Sequence, residues 1–152
     1  MSGNVKFRWF LLAPILVALF VVISPVVSWA GELEDAQKKV RQNPNDADAH
    51  IDPAFSYHKL GRYQEAIAPL KEAIRLNPND VPTHNNLGMS YSELGRYQDA
   101  IASYQEAIRI KPDYANAHYN LGIAYSELGR YQDAIASYVV ELNYSGGFYG
   151  CY

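Results

Sequence analysis

Three histidines stand at equal intervals in this chain, at His50, His84 and His118, each 34 residues from the next. Imidazole nitrogens are common metal ligands, so this spacing raises the question of a metal site. Ligands of one zinc ion lie within about 2.1 Å of it, whereas stacked helices lie about 8–10 Å apart. Histidines on successive stacked helices cannot converge on one ion, and we predict that all three pack between helices.

The other reactive side chains form no catalytic arrangement. Glu93 and Glu127 also stand 34 residues apart, too far for paired acid–base carboxylates, and we interpret them as a solvated face or a groove wall. No Ser/His/Asp arrangement, Gly-rich phosphate loop or HExxH motif is present. The single cysteine, Cys151, excludes an intrachain disulfide, a Cys-based zinc cluster and a CxxC redox pair. We therefore predict no enzyme activity, no metal site and no cofactor.

The composition is that of one modest globular domain. The chain has 152 residues, of which 49% are hydrophobic and 19% are charged, and a formal net charge of −3. All 16 acidic residues follow residue 30. A basic face for nucleic acid is therefore not expected.

Residues 1–30 have the three parts of a secretory signal. Two basic residues, Lys6 and Arg8, precede an apolar run over residues 9–23, and small residues then flank a cleavage position at Ala30. The run is shorter than the roughly 20 residues that span a bilayer. The pattern favours cleavage and export, which would make the mature protein periplasmic or otherwise extracytoplasmic.

An uncleaved membrane anchor through residues 9–27 is the alternative, because counting through Val27 makes a spanning helix feasible. In both cases the remainder of the chain would lie outside the cytoplasm, since the positive end of such a segment tends to stay inside.

A 34-residue repeat organises the rest of the chain. The tripeptide Gly-Arg-Tyr recurs with this period, at residues 61–63, 95–97 and 129–131, and a proline recurs at Pro44, Pro78 and Pro112. The stretch YSELGRYQDAIASY occurs twice, beginning at Tyr91 and at Tyr125. Apolar residues inside each unit follow helical spacing. Gly95 is expected to end one helix in a left-handed conformation, Asp80 to cap the next, and Gly88 to lie where two helix axes approach closely.

The pattern resembles the tetratricopeptide repeat (TPR) family, whose unit is a 34-residue antiparallel helix pair. The family's small and aromatic positions are matched in residues 81–114 by Leu87, Gly88, Tyr91, Ala100, Tyr104, Ala107 and Pro112. The resemblance implies an all-α, right-handed superhelical solenoid of antiparallel helix pairs with about three repeats.

The register of the repeat divides the chain into segments. These are a signal peptide or membrane anchor at 1–30, an N-terminal partial repeat or capping helix at 31–46, a degenerate first repeat at 47–80, a second repeat at 81–114, a third repeat at 115–148 that diverges after residue 138, and an atypical C-terminal tail at 139–152.

The first repeat departs from the pattern at two prolines. Pro53-Ala54 replaces the Leu-Gly pair, and Pro69 falls inside the second helix. An interior proline costs a helix about 3 kcal/mol. The sequence therefore predicts a shortened first helix with Asp52 as its cap and Pro53 at its first position, and a kink at Pro69.

Repeat similarity stops in the tail, which reads VVELNYSGGFYGCY from residue 139. A last helix without a polar capping helix exposes apolar surface, which predicts self-association through the C-terminal end. A terminal segment that folds back over that helix is the alternative. The abrupt change is also what a truncation or frame change in a longer repeat array would produce.

In the TPR family the first helix of each unit lines a concave groove that binds a peptide. The resemblance therefore implies a peptide groove at the matching positions, which are Phe55, Asn85, Asn86, Met89, Glu93, Asn116, Tyr119, Asn120, Ile123 and Glu127. The equivalents of Asn86 and Asn120 in peptide-binding members hydrogen-bond the ligand backbone, and an amide can both donate and accept. The alternative is that each asparagine only faces water or caps a local carbonyl.

Family members that bind chaperone tails grip a terminal carboxylate with Lys and Arg. Those cations are missing here, where the corresponding residues are Ile51, Phe55, Asn116 and Asn120. A charge-assisted carboxylate clamp is therefore not expected. The apolar, amide-lined groove suits an uncharged extended segment or a partner helix.

The sequence thus predicts an exported, non-catalytic protein–protein interaction module that binds a partner protein or peptide and no nucleic acid. Three alternatives stay open. One is a membrane-anchored assembly factor or scaffold, another is an accessory domain of an enzyme complex whose catalytic part is on another chain, and the third is a truncated remnant of a longer TPR protein.

Overall fold

The computed structural model describes residue 29 and residues 31–144, which form seven helices and no strand. The proposed signal segment, apart from Trp29, and the last eight residues lie outside the described part. The helices are α1 (31–42), α2 (Ala47–Lys59), α3 (Tyr63–Leu76), α4 (Val81–Glu93), α5 (Tyr97–Ile110), α6 (Ala115–Glu127) and α7 (Tyr131–Tyr144).

The helices pack as consecutive antiparallel pairs. The pairs are α2 with α3, α4 with α5 and α6 with α7, and neighbouring pairs join through α3 against α4 and α5 against α6. One continuous core runs through the three pairs, with Leu70, Tyr91 and Tyr104 among its buried side chains. The predicted all-α solenoid of helix pairs is confirmed.

Glycine makes the turn inside each pair. Gly95 has φ +71° and follows α4, where its N–H donates to the Ser92 carbonyl at 2.9 Å. Gly61 and Gly129 take the same conformation, with φ of +68° and +72°. The predicted left-handed helix end is confirmed, and a side chain at these positions would be strained.

A second glycine sets the distance between the helices of a pair. A Cβ on Gly88 would collide with the ring of Tyr104, and a Cβ on Gly122 would collide with the ring of Tyr138. The aromatic ring of the second helix thus lies directly on the backbone of the first helix. The prediction that Gly88 is small because two helix axes approach is confirmed.

The predicted shortening of the first repeat's first helix is wrong. Helix α2 begins at Ala47 and passes through Pro53, and its cap is Asp46, whose carboxylate accepts from the N–H of Asp48 at 3.1 Å. Asp52 instead accepts from the ammonium of Lys39 at 2.6 Å. The capped first turn and its buried residues hold the helix despite the missing N–H of the proline.

Both prolines of the first repeat line one cavity. The cavity, between α1, α2 and α3, measures about 620 Å³ and has Pro53, Pro69 and Tyr57 in its wall. The matching cavity of the third repeat has Leu121 and Ser137 at those places and measures about 330 Å³. Both are open grooves at the surface, and the one in the first repeat is the larger. Helix α3 runs from Tyr63 to Leu76 with Pro69 inside it.

Among the described helices, none has the length and apolar character that crossing a membrane requires.

Candidate functional site

The first helices of the three pairs, α2, α4 and α6, share one side of the solenoid. Helices α4 and α6 contact each other directly, whereas no comparable contact joins the second helices in the described part of the chain. The array is therefore closer together on the side of the first helices. We call the surface of α2, α4 and α6 on this side the concave face.

Asparagine side chains link two helices of the concave face. The Nδ2 group of Asn120 on α6 donates to Oδ1 of Asn85 on α4 at 3.0 Å. Asn85 is only 5% exposed, and its own Nδ2 points to the sulfur of Met89 at 3.5 Å. Asn85 thus positions Asn120, whose side chain is half-buried and uses its Nδ2 group in this bond.

Asn86 lies in a different place, beside a small cavity between α2 and α4. The cavity measures about 100 Å³, and its wall is apolar except for two residues; the lining is Ile51, Ala54, Phe55, His58, Leu70, Asn86 and Met89. Phe55 is 61% exposed and Met89 is 38% exposed, so both form the rim. The structure therefore brings together three of the predicted groove residues, Phe55, Asn86 and Met89, around one opening.

His58 and Ser90 form a polar contact in the wall of this cavity. The Nε2 atom of His58 lies 2.6 Å from Oγ of Ser90, which itself donates to the Asn86 carbonyl at 3.0 Å. The tautomer of the His58 ring decides which of the two atoms donates in this contact. Burial lowers the pKa of His58, and the charge of Glu93 opposes this effect. Burial therefore favours the neutral form of the His58 imidazole.

The pair resembles a nucleophile and its base, but the geometry does not support that role. Ser90 is fully buried, and its Oγ also lies 3.0 Å from the Asn86 carbonyl within its own helix. A serine that no substrate can reach cannot attack one. Nothing in the sequence pointed to this contact, because the two residues lie 32 positions apart in different repeats.

The charges of the concave face are unbalanced. Glu93 and Glu127 are exposed, and helices α4 and α6 contain no Lys or Arg. The Oε2 atom of Glu127 accepts a long hydrogen bond, at 3.5 Å, from the hydroxyl of Tyr97. On α2 the single cation among the lysines and arginines, Lys59, is paired with Glu32 at 2.8 Å. Uncompensated negative charge therefore follows α4 and α6 in the described part of the chain.

The remaining predicted groove residues lie on α6. Asn116 is exposed and Ile123 is half-buried. Tyr119 is 52% exposed, and its ring centroid is 6.0 Å from that of Tyr138. These three residues extend the concave face beyond Asn120, away from the cavity near Phe55.

The equally spaced histidines do not face this surface. His50, His84 and His118 are nearly buried, and their Nε2 atoms donate to the carbonyls of Pro44, Pro78 and Pro112 at 2.9, 2.9 and 2.8 Å respectively. Each bond joins the turn before a first helix to that helix. Their predicted packing between helices is confirmed. No group of three or more His, Cys, Asp or Glu side chains within the described residues is placed to hold a metal ion.

The fold and the repeat spacing together define a helical repeat array, and comparison with sequence families identifies it. Two profiles match, one described as TPR repeat, over residues 54–95 and 90–129, and one described as tetratricopeptide repeat, over residues 117–146. The chain belongs to the tetratricopeptide repeat family. No curated protein sequence matches it significantly.

Solved structures give the same fold. A crystal structure of MamA is 27% identical with a TM-score of 0.72, and the match covers 76% of this chain and 67% of that one. The thermophilic TPR protein TTC0263 of Thermus thermophilus is 25% identical with a TM-score of 0.70, over 80% of this chain and 68% of that one. The second TPR of Spaghetti (RPAP3), solved with the HSP90 peptide SRMEEVD, is 24% identical with a TM-score of 0.63, over 72% and 97%.

Proposed function

We propose that the protein is a non-catalytic interaction module whose concave face binds an extended segment of a partner protein. The observation that carries the proposal is the row of amides and exposed apolar side chains on α4 and α6 and the neighbouring rim of α2. Asn86 and Asn120 present hydrogen-bonding groups, and Phe55 and Met89 present apolar surface beside them. Amides suit a peptide backbone because they donate and accept at once.

Membership of the TPR family supports a partner-binding role, because such arrays build extended concave binding surfaces. The RPAP3 domain, with its HSP90 peptide, is an example of that use on the same fold. The partner proposed here differs in chemistry from an acidic tail, since the described concave face has its lysine paired and carries exposed carboxylates.

Selection from a random decapeptide library against the full chain tests the proposal. Peptides that bind should lose about tenfold in affinity to the double variant Asn86→Ala/Asn120→Ala, because each lost hydrogen bond costs about 0.5–1.5 kcal/mol. The matched control is Asn45→Ala/Asn79→Ala, which removes two exposed amides, also 34 residues apart, from the turns between pairs. Fluorescence anisotropy measures both. Selected peptides that bind the first variant as tightly as the control would overturn the proposal.

We also infer that residues 1–30 direct export. The inference rests on the sequence pattern alone, a basic start, an apolar run and a small-residue cleavage position at Ala30. Mass spectrometry of the protein isolated from its native cells tests it. Loss of residues 1–30 supports an exported protein, whereas an intact N-terminus in the membrane fraction supports an anchored assembly factor attached through residues 9–27.

Helix α7 supports a second proposal, self-association. Ile135 is 55% exposed. Its repeat equivalents Ile67 and Ile101 are only 7% and 6% exposed, because the first helix of the following pair covers them. Tyr131 and Val139 extend this surface, and Asp133 of the same helix, whose side chain is 49% exposed, is paired with Arg130 at 2.8 Å. An exposed apolar face of this kind can meet a copy of itself. Sedimentation of the full chain should show a dimer that Ile135→Lys abolishes, and a monomer at all concentrations would contradict it.

A further inference from the structure

The cavity beside Asn86 has the size of one aliphatic side chain. An apolar cavity of about 150 Å³ holds a benzene molecule, so about 100 Å³ between α2 and α4 admits a branched aliphatic group but not an indole. Phe55 and Met89 stand exposed at its rim, and Asn86 places an amide at the same opening. A peptide that bonds this amide therefore carries a neighbouring side chain into the cavity.

The charge beside the cavity specifies a second property of the partner. Within the described residues the carboxylates of Glu93 and Glu127 are exposed and form no ion pair. Lys59, the lysine of α2, is paired with Glu32, and Lys39 of α1 is paired with Asp52 at 2.6 Å. The field of Glu93 reaches the wall of the cavity, because it acts on the pKa of His58. An acidic peptide would be repelled here, and a basic one would be attracted.

We propose that the concave face selects a basic extended segment, in which one Leu, Ile or Val side chain fills the cavity between α2 and α4 and Lys or Arg side chains pair with Glu93 and Glu127. This inference rests on the proposed function and names its partner class. Successive first helices lie about 8–10 Å apart, and an extended polyproline II chain rises about 3.1 Å per residue and turns every third side chain to the same face. The two basic residues should therefore stand about three positions apart.

The selected decapeptides give the first test. Their consensus should contain one aliphatic residue with Lys or Arg at two positions, and the HSP90 peptide SRMEEVD should bind more weakly than any of them. Affinity for the best basic peptide should fall as sodium chloride rises, since exposed charges are screened. A consensus that is acidic or neutral would overturn the inference while leaving the proposed function intact.

Paired variants isolate the charge effect. Glu93→Gln/Glu127→Gln should weaken binding of the basic peptide about fivefold, because each exposed ion pair contributes modestly, and should flatten its salt dependence. The matched control is Glu72→Gln/Glu106→Gln, which changes the net charge equally at the same spacing on the second helices, and should change affinity less than about twofold. Equal effects of the two pairs would overturn the inference.

A substitution in the rim tests the cavity. Met89→Trp places a bulky ring at the opening, and Met89 is exposed enough to accept it without loss of fold. Binding should weaken about tenfold for peptides with the aliphatic residue and should not change for the same peptides with Ala there. Equal weakening of the aliphatic peptides and of their Ala counterparts would show that the aliphatic side chain lies elsewhere. If no selected peptide depends on Asn86 and Asn120 either, the proposed function fails together with this inference.

Discussion

Replacement of Gly88 by alanine should destabilise the protein, although alanine is the better helix former. The added Cβ would collide with the ring of Tyr104, which is 2% exposed and whose pKa is raised by burial. Overpacking of a filled core costs about 1–3 kcal/mol, and helix propensity returns at most about 1 kcal/mol. The free energy of unfolding should therefore fall by about 1–2 kcal/mol.

The first repeat shows what relieves the collision. There Ala54 takes the place of Gly88 and Leu70 the place of Tyr104, and both are 1% exposed. Tyr104→Leu alone should cost about 1–3 kcal/mol, because it leaves space beside Gly88. The double variant Gly88→Ala/Tyr104→Leu reproduces the pair of the first repeat and should be more stable than the sum of the single changes by at least about 1 kcal/mol.

Urea unfolding followed by circular dichroism at about 222 nm, where helices absorb, measures all three variants. Gly122→Ala is a matched comparison, since its Cβ would meet Tyr138, which is only half-buried and has room to move. Its cost should be about 1 kcal/mol or less. A neutral or stabilising Gly88→Ala would refute the steric reasoning, and strict additivity in the double variant would refute the pairing.

Three further changes test other parts of the fold. Gly95→Ala should lower the free energy of unfolding by about 1 kcal/mol through backbone strain alone, because nothing lies within 4 Å of the added Cβ; an unchanged urea midpoint would argue against this. Pro53→Leu should raise the melting temperature, since it restores an N–H inside α2 and fills part of the 620 Å³ cavity; a lower melting temperature in calorimetry would show that the proline fits its site better. Burial lowers the pKa of His58 below 6.5, so as pH falls the unfolded chain takes up a proton before the folded one, and the free energy of unfolding should decline below about pH 6.5. The difference in urea midpoint between wild type and His58→Gln should therefore change between about pH 5 and 7.5. A difference that stays constant over this range would contradict the assignment.

The helix pairs could be predicted from the sequence because their determinants are local. The glycine at position 95 ends a helix by its own backbone freedom, and Asp80 caps the next helix by accepting from the N–H of Thr83 three residues later, at 2.9 Å. Neither feature depends on distant residues. Because the sequence repeats every 34 residues, the helix ends recur in each unit at matching positions.

Contacts between repeats were less accessible to prediction. Asn86 and Asn120 occupy the same position in successive units, yet the bond that forms joins Asn120 to Asn85, one residue earlier. Which of two adjacent residues faces the neighbouring helix depends on the rotation of each helix, and packing of the whole pair sets that rotation. The contact of His58 with Ser90 was missed for the same reason, since it exists only after two repeats have stacked.

The continuity of α2 through Pro53 shows the limit of propensity arguments. The energetic cost of an interior proline predicted that α2 begins at Pro53. Instead Asp46 caps a helix that begins at Ala47, and His50 in its first turn donates to the Pro44 carbonyl at 2.9 Å. Burial of the helix and the capping of its first turn outweighed the hydrogen bond that the proline lacks.

The recurring bond between a histidine and a proline carbonyl closes the turn before each first helix with residues of that turn and helix alone. Donor and acceptor stand six residues apart, so the bond between His84 and the Pro78 carbonyl needs no residue from another repeat. A further 34-residue copy placed after Pro78 would bring its own histidine and its own proline. Each added unit would thus close its own first turn, and the concave face would grow by one fixed step each time.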